Sequence, residues 1–265
     1  MYTALVTAKH ESPLAQAAIK QLQALAQTNK ARDLTRFFKT GPGEYGEGDQ
    51  FLGVMVPQIR KIAKELARKA DLDDLHELLS SHWHEVRLLA LLIMVYQYPK
   101  ITTAGQASFF EFYLGNTSRI NNWDLVDLSS PYIVGQYLLS HEDPWTILER
   151  LAKSRNIWER RIAMVASAAF IRKNQFEHTL RLAKELLGDS QELIHKASGW
   201  MLREVGKRDR EALIKFLDQN IKEISATTLS YATEHFSQEA RKKYQELRRL
   251  ARKQLKKVQN TMSQI

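Results

Sequence analysis

Four stretches of this chain begin alike and recur at a near-constant interval. HEVRLLALLIMV (84–95), NWDLVDLSSPYI (122–133), IWERRIAMVASA (157–168) and IHKASGWMLREV (194–205) each open with polar or charged residues and run on into apolar ones. Their starts lie 38, 35 and 37 residues apart. That interval is the length of one helix pair, and a single pair cannot bury its own apolar face. Stacking successive pairs does bury it, so the spacing predicts an all-α solenoid of HEAT-like or armadillo-like repeats. In such a stack the equivalent helix of every pair lines one concave surface. Residues near 84, 122, 157 and 194 are therefore expected on a common face.

The rest of the chain agrees with this period. Apolar residues recur at helical spacing nearly throughout, with almost no alternation of strand length. Only 11 Gly and 6 Pro punctuate the sequence. A helical portion is expected over 13–38 and a helix from Pro57 to about Ala70, with the proline in its first turn. Further helices are expected near 73–80, 84–98, 104–115, 122–139, 144–153, 156–173, 176–187, 191–206, 208–221, 225–235 and 238–258. Ser130-Pro131 should end or kink the helix that contains it. The one conspicuous loop, Thr40–Gln50 (TGPGEYGEGDQ), is rich in glycine and acid. Residues 1–240 thus read as one repeat domain, with cap helices and the loop in its first 50 residues. Residues 241–265 read as a basic helical extension.

Composition narrows the chemistry. None of the 265 residues is cysteine, which excludes a disulfide scaffold, Cys-ligated zinc and any thiolate nucleophile, including an acceptor thiol for alkyl transfer. No stretch is long and apolar enough for a membrane helix. MYTALVTAKHESPL is too short and polar for a signal peptide, so a cytoplasmic protein is expected. The formal charge of +9 is unevenly spread. Nine of the 39 Lys/Arg and one of the 30 Asp/Glu fall within 241–265, leaving 30 against 29 elsewhere. The tail, not the body, makes the chain basic. It reads either as a solvated helix end or as a phosphate-binding run acting through counterion release.

The repeated helices carry a constellation. Trp123 and Asp127 are spaced i, i+4 and share one helical face. Trp158 and Arg161 follow at i, i+3 in the next repeat, and Lys196 and Trp200 at i, i+4 in the one after. Each repeat thus offers an aromatic and a charge at similar depth. The bland reading is a set of core tryptophans, with Asp127 in an inter-helix salt bridge to Arg161 or Arg160. The functional reading is a carboxylate beside aromatic faces, an environment that stabilises a cation, with an arginine able to grip a phosphate by bidentate hydrogen bonds.

FLGVMVPQIRKIAKEL (51–66), HEVRLLAL (84–91), NNWDLVDLSSPYIVGQYL (121–138), NIWERRIA (156–163) and KASGWMLREVGK (196–207) together resemble the AlkD family of bacterial DNA alkylation-repair glycosylases, which are built from HEAT-like repeats. The resemblance covers about 50–210. ISATTLSYATEHF (224–236) resembles the family's C-terminal repeat, with Ala226 and Ser230 where many members carry basic residues. The resemblance implies a monofunctional DNA glycosylase, without cofactor or metal, that acts as a monomer on duplex DNA containing N3- or N7-alkylated purines. Such a protein would associate with the nucleoid when bound. It puts the active-site aspartate on Asp127, the preceding tryptophan on Trp123, the phosphate-holding arginine on Arg161 and the second tryptophan on Trp200. Trp158, Lys196, Arg203, Arg87 and Arg60, within the matching stretches, are the further DNA-contact candidates. The alternative is a non-catalytic HEAT-like binder of branched or distorted DNA.

Other motifs point elsewhere only weakly. His141-Glu142-Asp143 matches the H-x-D of iron-dependent dealkylases, but it falls between helices rather than in a β jelly-roll. His82 and His84 lie beside Glu85 without a third ligand at metal spacing, and read as surface or helix-start residues. No phosphate-binding glycine loop or nucleophile elbow occurs. No lysine is placed for Schiff-base chemistry.

Overall fold

The computed structural model describes residues 12–262, and side chains from 12 to 254. Expectations for the first eleven residues and for the Lys256 and Lys257 side chains lie outside the described residues. The fold is the expected all-helical repeat architecture, with its repeated helices opening at His84, Trp123, Ile157 and Glu192. Among the described residues the one β-type pairing is an isolated parallel bridge between Gln50 and Trp83. The chain divides into two compact units at Ser129/Ser130, a division that no shift of composition marks.

The first unit holds α1 (Pro13–Ala24), α2 (Thr28–Phe37), α3 (Val56–Leu66), α4 (Leu72–Leu79), α5 (His84–Gln97), a one-turn 3-10 helix (Tyr98–Lys100), α6 (Thr103–Gly115) and α7 (Trp123–Asp127). Local chemistry sets the starts. Ser12 caps α1 by accepting from the Ala15 amide, with Pro13 directly after it. Asp71 and Asp74 form a reciprocal capping box on α4. Helix α5 is the spine of the unit. Every residue from His84 to Met94 is buried, as a helix apolar nearly all round requires. Helix α2 is the opposite: none of its residues is buried.

The second unit holds α8 (Val134–Leu138), α9 (Pro144–Ala152), α10 (Ile157–Ala166), α11 (Ala168–Arg172), α12 (Glu177–Glu185), α13 (Glu192–Arg208), α14 (Arg210–Asn220), α15 (Ala226–Ala232) and α16 (Gln238–Met262). Helix α13 packs most closely against α15. A Cβ at Gly199 would lie 2.5 Å from the Tyr231 Cβ and 2.7 Å from the Thr228 carbonyl, so only glycine allows this approach.

Ser130-Pro131 interrupts the helix over 122–139 as expected, leaving two short ones, because Pro131 cannot continue the hydrogen-bond ladder. Two expectations are corrected. The helix over 156–173 breaks at Ser167, whose hydroxyl donates to the Met164 carbonyl at 2.7 Å and competes with the ladder. The basic extension is not separate up to its middle. Tyr244 is buried, with its hydroxyl 2.9 Å from the Asp218 carboxylate, and Arg248 Nε donates to the Ile224 carbonyl at 2.7 Å. Helix α16 runs through residue 240 without a break.

Candidate functional site

Helix α7 is five residues long, WDLVD, and brings Trp123 and Asp127 to its two ends. So short a helix holds no shape by itself, since nucleation is costly and few bonds repay it. Its position comes from its surroundings. Leu125 and Val126 are buried in the core of the first unit, while Trp123 and Asp127 stay half-buried. Asn122, itself fully buried, accepts from the Trp123 amide with Oδ1 at 2.8 Å and donates to Asp49 with Nδ2 at 3.0 Å.

Trp123 is held by aromatic rings. It stacks on Phe38, with centroids 5.1 Å apart and planes 20° from parallel. Phe37 meets it edge-on at 5.9 Å and is 63% exposed, far more than a structural phenylalanine needs to be. Both phenylalanines come from the end of α2, a segment that no motif or spacing connects with Trp123. Behind Asp127, Tyr113 is fully buried, with its hydroxyl 2.8 Å from Ser129. Burial pushes the Tyr113 phenol up, and the neighbouring Asp127 carboxylate adds to the rise. A tryptophan face and a carboxylate thus sit on one firmly packed element.

Next to them lies a buried charge network that the sequence did not reveal. His84 sits at the start of α5, as expected, but it is buried rather than at the surface. Its Nδ1 is 3.1 Å from Asp49 and its Nε2 is 2.8 Å from Asp124. Burial alone would lower its pKa, but the Asp124 charge and the hydrogen bonds to Asp124 and Asp49 raise it to about 9. Asp49, the acid near the end of the Gly-rich loop, also accepts from Arg87 at 2.5 Å. Burial pushes Asp49 up, yet its bond from His84 and the charge of Arg87 hold it below the usual carboxylate range. Glu85 completes the fastening: its carboxylate accepts from the amides of Leu52, Gly53 and Val54. Gly53 has φ +82 and touches the Gln27 carbonyl, so this stretch admits no side chain there.

This network removes one DNA-contact candidate. Arg87 is 3% exposed and occupied by Asp49 and the Ser81 and His82 carbonyls, so it cannot reach a phosphate. Arg60, half-buried, donates to the Tyr96 hydroxyl at 3.2 Å. His82 is not drawn into the network; its ring lies against Trp83.

In the second unit, Arg161 is 5% exposed and its Nη1 donates to the Leu193 carbonyl at 2.6 Å, linking α10 to α13. Trp158 is buried among core residues at the start of α10. Arg160 pairs with Asp189 at 2.6 Å. On α13, Lys196 and Trp200 are both half-buried, and Lys196 Nζ lies 3.3 Å from Glu192. Arg203 pairs with Glu234, and its Nε is 3.5 Å from Glu204. Together with Ser230, Tyr231 and Arg241 it lines an open depression of about 450 Å³. Asp143 of the H-x-D match caps α9 by accepting from the Thr146 amide at 3.2 Å. Among the described residues no cluster of His, Cys, Asp and Glu is arranged to hold a metal ion, and no helix is long and apolar enough to cross a membrane.

Residues 18–236 match the model of a family described as DNA alkylation repair enzymes. Similar solved structures include a predicted DNA alkylation repair enzyme from Enterococcus faecalis, 15% identical with a TM-score of 0.64, over 80% of this chain and 97% of that one. Another is AlkD2 from Streptococcus mutans, 17% identical with a TM-score of 0.48, over 84% of this chain and 99% of that one. No curated protein matches.

Proposed function

The chain belongs to the DNA alkylation repair enzyme family, and from that premise we propose that it is a monofunctional glycosylase hydrolysing the N-glycosidic bond of N3- and N7-alkylated purines in duplex DNA. One observation supports this most. A half-buried carboxylate, Asp127, shares a five-residue helix with Trp123, whose ring is fixed by Phe38. An acid at a surface meant only to hold polyanionic DNA would repel it, whereas an acid beside an aromatic face suits a developing cation.

The chemistry fits these groups. A purine alkylated at N3 or N7 is already cationic, so it leaves with the electron pair of the C1′–N bond and becomes neutral. No general acid is needed. The sugar left behind is an oxocarbenium-like cation, which Asp127 stabilises electrostatically. The Trp123 face adds cation–π attraction of ~0.5–2 kcal/mol. Water adds to C1′ and gives up a proton, for which Asp127 is the acceptor, leaving an abasic site. Arg161, 5% exposed and bound to the Leu193 carbonyl, joins α10 to α13, and the phosphate-holding role that the resemblance implies for it needs its guanidinium to turn outward. Trp200 and Lys196 on α13, Arg203 and Arg60 extend the DNA contacts, whereas buried Trp158 supports α10.

The test uses a duplex with a single N7-methylguanine, incubated with the protein and then cleaved at abasic sites by alkali. Strand cleavage well above the spontaneous background is expected. Duplex binding without cleavage would instead identify a non-catalytic binder.

A further inference from the structure

Beneath Trp123 lies a set of buried charges that the proposed chemistry does not use. Asp49 comes from the Thr40–Gln50 loop, His84 and Arg87 from α5, and Asp124 from α7. Three segments, 35 to 40 residues apart in sequence, meet at one imidazole. Both ring nitrogens face carboxylate oxygens, and a carboxylate only accepts. Only the doubly protonated imidazolium donates to both. The ring also belongs to an aromatic cluster: Phe51 stacks on it at 4.6 Å, Phe38 lies tilted 5.0 Å away, and the two phenylalanines stack on each other at 5.1 Å. Phe38 is the same ring that stacks on Trp123. The imidazolium therefore reaches the site by two routes, through the Asp124 carboxylate to the backbone of α7, and through Phe38 to the tryptophan face.

We propose that His84 is a positioning residue for the Trp123–Asp127 site, its imidazolium tying α7 and the Phe38–Trp123 stack to the Gly-rich loop. A helix of five residues needs an anchor of this kind to hold its orientation. Asp124 uses its other oxygen on the Leu125 amide at 2.8 Å, so its bond to His84 sets the angle of the helix. Asn122, on the other side of Trp123, is bound to the same Asp49.

The charges around the ring come from each element packed against it. Asp124 faces it from α7, Asp49 from the loop and Arg87 from α5. Arg119, in the segment between α6 and α7, acts on Arg87. Glu85 is turned away to the amides of 52–54. The two carboxylates Asp49 and Asp124 balance the two cations His84 and Arg87. Loss of the His84 proton therefore leaves one buried carboxylate uncompensated and one bond without its donor. The link to α7 is then expected to loosen at alkaline pH.

The inference rests on the glycosylase reading for its consequence but can be tested without it. The nitrogen-15-labelled protein is titrated between about pH 6 and 10.5, following the His84 ring nitrogens and the Trp123 indole N–H. Both ring nitrogens should be protonated at pH 7, with a midpoint near 9. The Trp123 signal should move with the same midpoint. In Asp124→Asn, which keeps an accepting oxygen but not the charge, both midpoints should fall together by about one to three units. In His84→Gln the Trp123 transition should vanish. If that variant does not fold, the wild-type and Asp124→Asn titrations decide. A neutral His84 at pH 7, or a Trp123 signal that stays still while His84 titrates, overturns the proposal. Single-turnover base release should follow the same midpoint, with the rate falling and duplex affinity holding. If the wild type releases no base at any pH, the glycosylase reading fails, and the Trp123 signal still decides whether His84 positions it.

Discussion

Asp127 and Trp123 are the residues on which the proposed chemistry depends. Removing the charge in Asp127→Asn should slow base release on the order of 10²-fold or more while duplex affinity stays the same or rises. Trp123→Ala should slow it about 2- to 30-fold, the value of one cation–π contact. Both are read by single-turnover kinetics. The buried network behaves differently, because its variants change stability. Asp49→Ala leaves Arg87 and His84 buried without their carboxylate and should cost roughly 3–5 kcal/mol by urea unfolding. A loss under about 1 kcal/mol would show that the network is not held as described. The pH dependence has a definite sign. The folded pKa of His84 is raised to about 9, so its contribution to stability is complete below its ordinary value of 6.5 and disappears as pH rises through 9. The pairing of Trp123 with Asp127 was legible because helical spacing is local. The Asp49–His84–Asp124 bridge was not, because its partners lie 35 and 40 residues apart. The available hint was the run of polar residues opening α5, His84, Glu85 and Arg87, ahead of an otherwise apolar helix.

Among the elements, the repeat period was the strong signal and it placed the repeated helices well. Their starts at 84, 123, 157 and 192 lie within two residues of the recurring stretches. Interruptions were harder to read. Pro131 announced one, since proline has no amide to donate. Ser167 did not, because a serine breaks a helix only when its hydroxyl turns back to a carbonyl, as it does here toward Met164. The end of the Gly-rich loop is tied to α5 through Asp49, and the stretch 52–54 just beyond it is held by Glu85. The close approach of α13 to α15 makes another specific expectation. Gly199→Ala places a methyl 2.7 Å from a backbone carbonyl and next to Tyr231. It should destabilise by about 1–3 kcal/mol in urea or thermal unfolding, and an unchanged midpoint would contradict the packing described. The neighbouring Trp200 should then shift its emission as well.

For the whole molecule, charge is the property that sequence counted correctly and described incompletely. The tail holds the surplus of basic residues, but the first half of α16 is structural, since Tyr244 and Arg248 are packed against the second unit. Truncation after Arg248 should therefore leave stability nearly unchanged and weaken duplex binding. The slope of log affinity against log salt should flatten by about 0.9 for each phosphate that the tail no longer neutralises. Truncation before Tyr244 should lower stability instead. The family of the chain was legible because WDLVD, NIWERR and GWMLRE occur together and in order. The division at Ser129/Ser130 was not, because it follows from which residues pack together rather than from composition. Under the proposed function, Asp127 is the residue through which this fold breaks a glycosidic bond in alkylated DNA. The most direct measurement is single-turnover release of N7-methylguanine from a defined duplex by the wild type and by Asp127→Asn, with affinity for the same duplex measured in parallel. Rapid release by the wild type and near-background release by a variant that still binds are expected. Equal release by both proteins, or none by either, would contradict that role for Asp127.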